Sequence, residues 1–415
     1  MTDAIGALFE RPGVRTVFDA VQQDEDEAWL VGGCVRNALL GEPVGDIDIA
    51  TQAVPEAVIA RAQTAGIKAV PTGIDHGTVT LVVGSVPFEI TTLRKDVATD
   101  GRRAVVAFSR HLGDDAVRRD FTMNALYVSA DGTLHDPVGG LDDLEARRLR
   151  FIGNPVQRIT EDYLRILRFF RFYGWYGRGA PDRDAIKAIV NKRDGLRELS
   201  AERVWSELKK LLSAPDAGRA LLWMRQCGVY QIILPESGDM DGFARLQRLE
   251  SALEAPVEPL RRLLVLLNPF GPDRTNALAE RLRLSGVERK TLLNVRSAIE
   301  DANIDRLSEP AKLRLSLYQH GASAIIDAAI LRGAASLDAD PEQPLPAALV
   351  AVLSDVLKQS RTWKKPSLPV SGSDLVARGI EQGPQLGAAL SMMEGAWVAS
   401  DFQMGRDELL DVLKS

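Results

Sequence analysis

The chain has 415 residues, of which 45% are hydrophobic and 26% charged, with a formal net charge of -6 and only two cysteines, Cys34 and Cys227. That balance predicts an ordinary globular protein of two to four domains. It excludes a disulfide framework, a cysteine-rich zinc site and a globally basic nucleic-acid binder, so any nucleic-acid contact must come from a local patch.

The opening segment MTDAIGALFE lacks a basic stretch followed by an apolar core, and no run has the roughly 18 apolar residues that cross a bilayer. A cytoplasmic protein with no membrane contact is therefore expected, and the two cysteines suit a reducing compartment. Strand-like runs follow at residues 28–31, 46–50, 78–83, 88–92 and 125–128, separated by helical patterns and by Gly and Pro turns. Beyond residue 141 the apolar spacing becomes helical almost throughout, as in Tyr163, Leu164, Leu167 and Phe170, then Val204, Leu208, Leu211 and Leu212. The reading is α+β: a compact mixed head, then a long helical remainder with breaks at 177–184, 234–242, 267–276 and 336–346. Residues 142–210 hold 16 Lys and Arg against 11 Asp and Glu, a local positive excess that suits either an RNA contact or a set of solvated helix faces.

Residues 30–51, LVGGCVRNALLGEPVGDIDIAT, carry the densest chemistry. Gly32 and Gly33 follow a short apolar strand and permit close backbone approach to an anion, while the helical segment after them offers its N-terminus to phosphates. Asp46 and Asp48, two apart on a strand, point to one face and form a bracket for divalent metal. Two acids at a strand end are also a common solvated edge, and only the context favours the metal. A further acid, Glu89, lies on a later strand between Phe88 and Ile90. Residues 118–125, RRDFTMNA, bring two adjacent arginines suited to a triphosphate, with Asp120 and Asn124 as acceptor and donor for a ribose. Local pairing of Asp120 with Arg119 is the simpler alternative. In EDYLRILR, residues 161–168, a helix capped by Thr160 would set Asp162 and Arg165 on one polar edge able to imitate a base, although such an ion pair decorates many helices.

In their order and spacing these segments, with TGIDHGTVTLVV, FEITTLRKD and DPVGGLDDL, resemble the class II tRNA nucleotidyltransferase and bacterial poly(A) polymerase family over residues 25–240. The resemblance implies a polymerase-β-like nucleotidyltransferase head (1–140), a helical neck (141–240), a helical body (241–340) and a helical tail (341–415). It implies that Asp46 and Asp48 hold Mg²⁺ and, with Glu89, form the catalytic set. Nucleotide binding would fall on Gly32, Gly33 and Arg36, on Arg119, Asp120 and Asn124 for ribose and triphosphate, and on Asp162 and Arg165, with Arg168 nearby, for the choice of CTP or ATP. Residues 200–208, SAERVWSEL, resemble the segment that braces the neck helices. Asn37 departs from the Asp frequent at its position, with a modest effect expected. The expected activity is template-independent addition of CMP, CMP and AMP to a tRNA 3′ end from CTP and ATP. No obligate protein partner is expected. Poly(A) tailing or addition of A alone are the alternatives, and a non-catalytic RNA-binding relative is a more remote one. Residues 72–79 resemble the CCA-adding branch, and the polar loop at 96–103 occupies the position of the loop that switches CTP for ATP. His135-Asp136 lacks the further histidines of an HD-type phosphohydrolase.

Overall fold

The computed structural model describes residues 2–100, 103–238, 240–267, 272–338, 340 and 343–412. The chain divides into two compact units, residues 1–235 and 236–415.

In the first unit the elements run α1 (Thr2–Phe9), α2 (Val14–Val21), β1 (Ala28–Val31), α3 (Gly33–Leu40), β2 (Ile47–Thr51) and α4 (Pro55–Thr64). Strands β3 (Lys68–Gly73), β4 (Thr78–Val83), β5 (Val86–Thr92), β6 (Arg94–Asp100) and β7 (Arg103–Phe108) follow, then α5 (Leu112–Arg118), β8 (Tyr127–Ser129) and β9 (Leu134–His135). Helices complete the unit: α6 (Gly140–Glu145), α7 (Pro155–Glu161), α8 (Leu164–Tyr176), α9 (Arg183–Lys192), α10 (Ala201–Leu212), α11 (Ala217–Gln226) and α12 (Tyr230–Ile233). Seven strands form one mixed sheet in the order β3-β4-β5-β2-β1-β8-β9. Only β2 and β5 pair in parallel.

Central β1 is buried along its whole length, which explains why AWLV reads as a continuous apolar run rather than an alternating one. Trp29 and Val31 enter a core with Ala50, Leu93, Ala116, Tyr127 and Ile152. The segment at 96–103, expected as a polar loop, instead runs through β6 and into β7, an antiparallel hairpin outside the main sheet. Gly101 and Arg102, within that segment, lie outside the described residues.

An aromatic cluster joins sheet to helices. Phe121 lies 5.0 Å from Phe151 and 5.3 Å from Phe172 of α8, centroid to centroid, and Phe151 stacks on Phe169 at 5.6 Å; such pairs contribute about 0.5–1.5 kcal/mol each beyond their burial. At Gly140 backbone meets backbone: a Cβ there would sit 2.1 Å from the Thr122 carbonyl oxygen, so only glycine lets α6 close on the turn that carries Asn124. The second unit is helical among its described residues, from Met240–Ala252 to Arg406–Asp411. Its interior holds matched ion pairs, Arg261 with Glu250 and Asp327 and Arg262 with Glu250, all within 2.8 Å. No helix of the described residues is long and apolar enough to cross a membrane.

Candidate active site

Strand alternation builds the carboxylate edge. Ile47 and Ile49 are buried and Asp48 between them is half-buried, and the parallel register sets Asp48 directly beside Glu89, itself exposed between buried Phe88 and Ile90. Asp46 immediately precedes β2 rather than lying on it, and is exposed. Burial, and then the neighbouring Glu89, push the Asp48 carboxyl up to about 6, with Arg119 acting in the opposite sense. The antiparallel register with β1 places Val31 opposite Asp48, so the chain reaches Gly32 at the acid. Gly32 has φ 75°, a left-handed value that disfavours side chains, and a Cβ there would lie 3.5 Å from Arg119 Nη1 and 3.8 Å from Asp48 Oδ2. The turn, the acid and the arginine thus meet at one point.

From that point a cleft of about 700 Å³ runs to α8 and α10, lined by Gly32, Gly33, Arg36, Asp48, Arg119, Asp120, Asn124, Asp162, Arg165 and Arg168. Every nucleotide-binding residue expected from sequence therefore lines one cavity, and Asp48 joins them; Asp46 and Glu89 are not among its lining residues. The cleft also gains Arg94, Arg118, Leu164, Phe172 and Arg203, which the site assignment from sequence did not include. Arg118 stands in RRDFTMNA, noted for its adjacent arginines, Arg94 in FEITTLRKD, one of the segments that carry the resemblance, and Arg203 in SAERVWSEL. Nothing in the sequence alone distinguishes Arg203 from other helix-face arginines. Among these residues seven arginines face three aspartates, an environment for a polyanion.

Hydrogen bonds tie the cleft's walls together. Arg36, only 6% exposed, donates to Asn124 Oδ1 at 2.6 Å, to Asn37 Oδ1 at 2.8 Å and to the Tyr176 hydroxyl at 2.9 Å, and stacks 4.2 Å from the Tyr176 ring centroid. Asn124 Nδ2 donates to Asp120 Oδ1 at 3.0 Å, and Arg168 Nε donates to Asp120 Oδ2 at 2.8 Å. Burial alone would raise the Asp120 pKa, but Arg168 and the hydrogen bonds hold it below the usual carboxylate range. Asp120 thus pairs with Arg168 from 48 residues away, and Arg119 pairs instead with Asp115 at 2.9 Å, so the local Asp120–Arg119 pairing is not what forms. His135 lies on β9 against the Ser129 hydroxyl, while Asp136 accepts from the Gly140 and Leu141 amides at the start of α6.

The base-imitating edge departs from the expected single helix. Asn154, not Thr160, caps the preceding helix α7, accepting from the Val156 and Gln157 amides; Thr160 lies within that helix and donates to the Val156 carbonyl. The chain then breaks at Asp162, whose backbone is extended (φ -158°, ψ 107°), and α8 begins at Leu164. Asp162 Oδ1 accepts from the Leu164 amide at 3.1 Å and Oδ2 from Arg203 at 2.8 Å. Arg165 pairs with Glu161 at 2.5 Å, four residues back, and not with Asp162. Acid and guanidinium therefore line the same cleft, but each is held by a different neighbour.

A strand-edge carboxylate facing an arginine-lined cleft, with an acceptor and a donor at its far end, defines a site for nucleotidyl transfer. Residues 28–150 match the family model described as the poly A polymerase head domain, and residues 180–240 the one described as a probable RNA and SrmB-binding site of polymerase A. The mitochondrial CCA tRNA nucleotidyltransferase 1 of Mus musculus is 34% identical across 97% of this chain and 90% of its own length. The CCA-adding enzyme of Levilactobacillus brevis is 32% identical across 92% and 91%. Among solved structures, that of the Bacillus stearothermophilus CCA-adding enzyme in complex with CTP superimposes with a TM-score of 0.73, at 29% identity and 94% coverage of both chains. The chain belongs to the CCA-adding tRNA nucleotidyltransferase family. It is an enzyme, a nucleotidyltransferase of tRNA processing.

Proposed function

We propose that this chain adds CMP, CMP and AMP in turn to the 3′ end of tRNA, without a nucleic-acid template. In each step the terminal 3′-hydroxyl oxygen attacks the α-phosphorus of CTP or ATP, the bond to the β-phosphate oxygen breaks, and pyrophosphate leaves. The observation that carries this reading is the single cleft that joins Asp48 to Asp162 and Arg165 in a chain similar along nearly its whole length to CCA-adding enzymes.

The carboxylate edge suits a divalent cation, because the parallel register sets the Asp48 carboxylate directly beside that of Glu89, with Asp46 two residues before it. No three His, Cys, Asp or Glu side chains among the described residues form a metal-ligand group by themselves. Mg²⁺ is usually held by one or two carboxylates plus substrate phosphates. Asp46 and Asp48 would hold it, with Glu89 beside them, and when bound it lowers the pKa of the attacking hydroxyl and offsets charge on the leaving pyrophosphate. Around that edge the protein's own groups orient the nucleotide. The Gly32-Gly33 backbone admits the phosphates, Arg119 steadies them from its anchorage on Asp115 and Tyr127, and Asp162 and Arg165 offer acceptor and donors to the base. The two buried, unpaired thiols, Cys34 and Cys227, fit work in the reducing cytoplasm.

The test is a tRNA lacking its terminal CCA, given CTP, ATP or both, with the products sequenced. Two residues from CTP alone and a stop after CCA with both nucleotides are expected. A long adenosine tail from ATP alone would replace this reading with poly(A) synthesis.

A further inference from the structure

Helix α7 carries a buried arginine that grips one side of the nucleotide cleft by its backbone. Arg158 is 6% exposed, and its Nη2 donates to the carbonyls of Arg118 and Arg119, 40 and 39 residues earlier in the chain. Those carbonyls lie at the end of α5, where a helix leaves its last carbonyls without intrahelical donors. Arg158 therefore caps α5 from a separate element. Arg119 follows α5 directly and lines the cleft, so fixing its carbonyl fixes the root of the side chain assigned to the phosphates.

The same guanidinium serves the side assigned to the base. Its Nη1 donates to Glu161 Oε2, and Arg165 Nη1 donates to that one oxygen at 2.5 Å and to the Arg158 carbonyl at 2.7 Å. Arg165 is thus placed twice by residue 158, once through the backbone and once through a carboxylate that Arg158 orients. A pair between Arg158 and Glu161, three residues apart, is by itself ordinary helix decoration. The grip of Arg158 on two carbonyls of another element is not. Neither Arg158 nor Glu161 is among the residues that line the nucleotide cleft; both line a second cleft of about 700 Å³ that shares Arg118 with the first. Arg158 therefore acts on a nucleotide through Arg119 and Arg165 rather than by touching it.

We infer that Arg158 is a positioning residue for nucleotide choice, setting the phosphate-facing Arg119 and the base-facing Arg165 at a fixed spacing. The inference rests on the reading of that cleft as the seat of CTP and ATP. Placement matters here as much as charge, since a group misplaced by about 1 Å costs on the order of 100-fold in rate.

The experiment uses the full chain and a tRNA lacking its CCA, and measures kcat and KM for CTP and for ATP separately. The proteins are wild type, Arg158→Gln, Arg158→Lys, Arg165→Ala and the double variant of Arg158→Gln with Arg165→Ala. Arg158→Gln is expected to raise the CTP KM about ten-fold and to lower the CTP-over-ATP ratio of kcat/KM by about as much. Lys restores part of the ratio, because its ammonium still pairs with Glu161 but cannot fork to both carbonyls as well. In the Arg165→Ala background the same Gln substitution should leave the ratio within about two-fold, since the group it positions is gone. A merely structural arginine would behave otherwise: fewer molecules would fold, kcat would fall equally for both nucleotides, and KM and the ratio would stay at wild-type values. That result would overturn the inference, as would a full-sized drop in the ratio when Arg165 is already Ala. Where Arg158→Gln does not fold, Glu161→Gln leaves α5 capped and is expected to lower the ratio; an unchanged ratio there overturns the inference too. A wild type that takes ATP alone on this tRNA would instead defeat the CCA-adding reading, and the KM for ATP in the same variants would then decide the role of Arg158.

Discussion

Replacing Arg36 by Met separates two roles that the sequence cannot separate, ligand and strut. The substitution keeps the apolar stem and removes the guanidinium that bonds Asn124 at 2.6 Å, Asn37 at 2.8 Å and Tyr176 at 2.9 Å. Of these partners only Asn124 is buried, and stranding it costs about 1–3 kcal/mol, while half-buried Asn37 and Tyr176 can turn to water; the lost stacking on Tyr176 adds about 1 kcal/mol. Against this, burial penalises the charge itself, as the lowered Arg36 pKa records, so the change also removes a desolvation cost. The net destabilisation is expected at about 2–4 kcal/mol, or roughly 5–15 °C in the melting temperature of a unit this size. Calorimetric unfolding of wild type and variant measures it, with CTP incorporation followed in parallel. A melting temperature within about 2 °C of wild type together with lost incorporation would refute the strut and make Arg36 a nucleotide ligand.

Asp162→Ala and Arg165→Ala are expected to relax the choice between CTP and ATP more than they slow turnover. Arg203→Ala should move the same ratio, because it releases the carboxylate it holds at 2.8 Å; single-nucleotide incorporation assays with unchanged selectivity in all three variants would remove the base-selecting role. Acid unfolding carries a definite sign. Burial raises the Asp115 and Asp120 pKa values, but arginines 118, 119 and 168 outweigh it and hold both below the usual range. The unfolded chain takes up these protons first, so the stability that these two carboxylates contribute is constant above about pH 5 and falls as pH drops below about 4. Asp115→Asn should flatten that fall in urea titrations at successive pH values, and an unchanged slope would contradict the linkage. Cys34 is 1% exposed and burial pushes its thiol up to about 11, so alkylation by iodoacetamide at pH 8 should be slow in the folded protein and fast in urea. Equal rates would show that the site opens readily.

What the sequence revealed depended on whether a feature was set locally. DIDIA was legible because one buried face forces a period of two, and Ile47 and Ile49 reveal where Asp48 must point. β3 escaped notice because it buries none of its residues fully and so imposes no alternation. β6 and β7 escaped because they pair only with each other, outside the main sheet, in a run rich in charge. The helix break at Asp162 is invisible for a different reason. Helical spacing continues through EDYLRILR, and Arg203, which grips the Asp162 side chain, comes from 41 residues away. The ordered motifs identified which residues would share a cleft, since each motif is contiguous. Their pairings required the fold.

Asp120 illustrates how far those pairings alter a role. Its Oδ1 already accepts from the Phe121 amide and Asn124, and its Oδ2 accepts from two nitrogens of Arg168. A carboxylate has about four acceptor positions, so all are taken, and a ribose hydroxyl could bond Asp120 only by displacing one of them. Asn124 is different, because it uses one donor on Asp120 and one acceptor lone pair on Arg36, which leaves one of each for the cleft. Of the two residues that the sequence suggested for the sugar, Asn124 keeps the capacity to touch it. Asp120 fixes Asn124 on one side and Arg168 on the other, so the amide proposed to face the sugar and an arginine of α8, proposed to help select the base, are held by the same carboxylate.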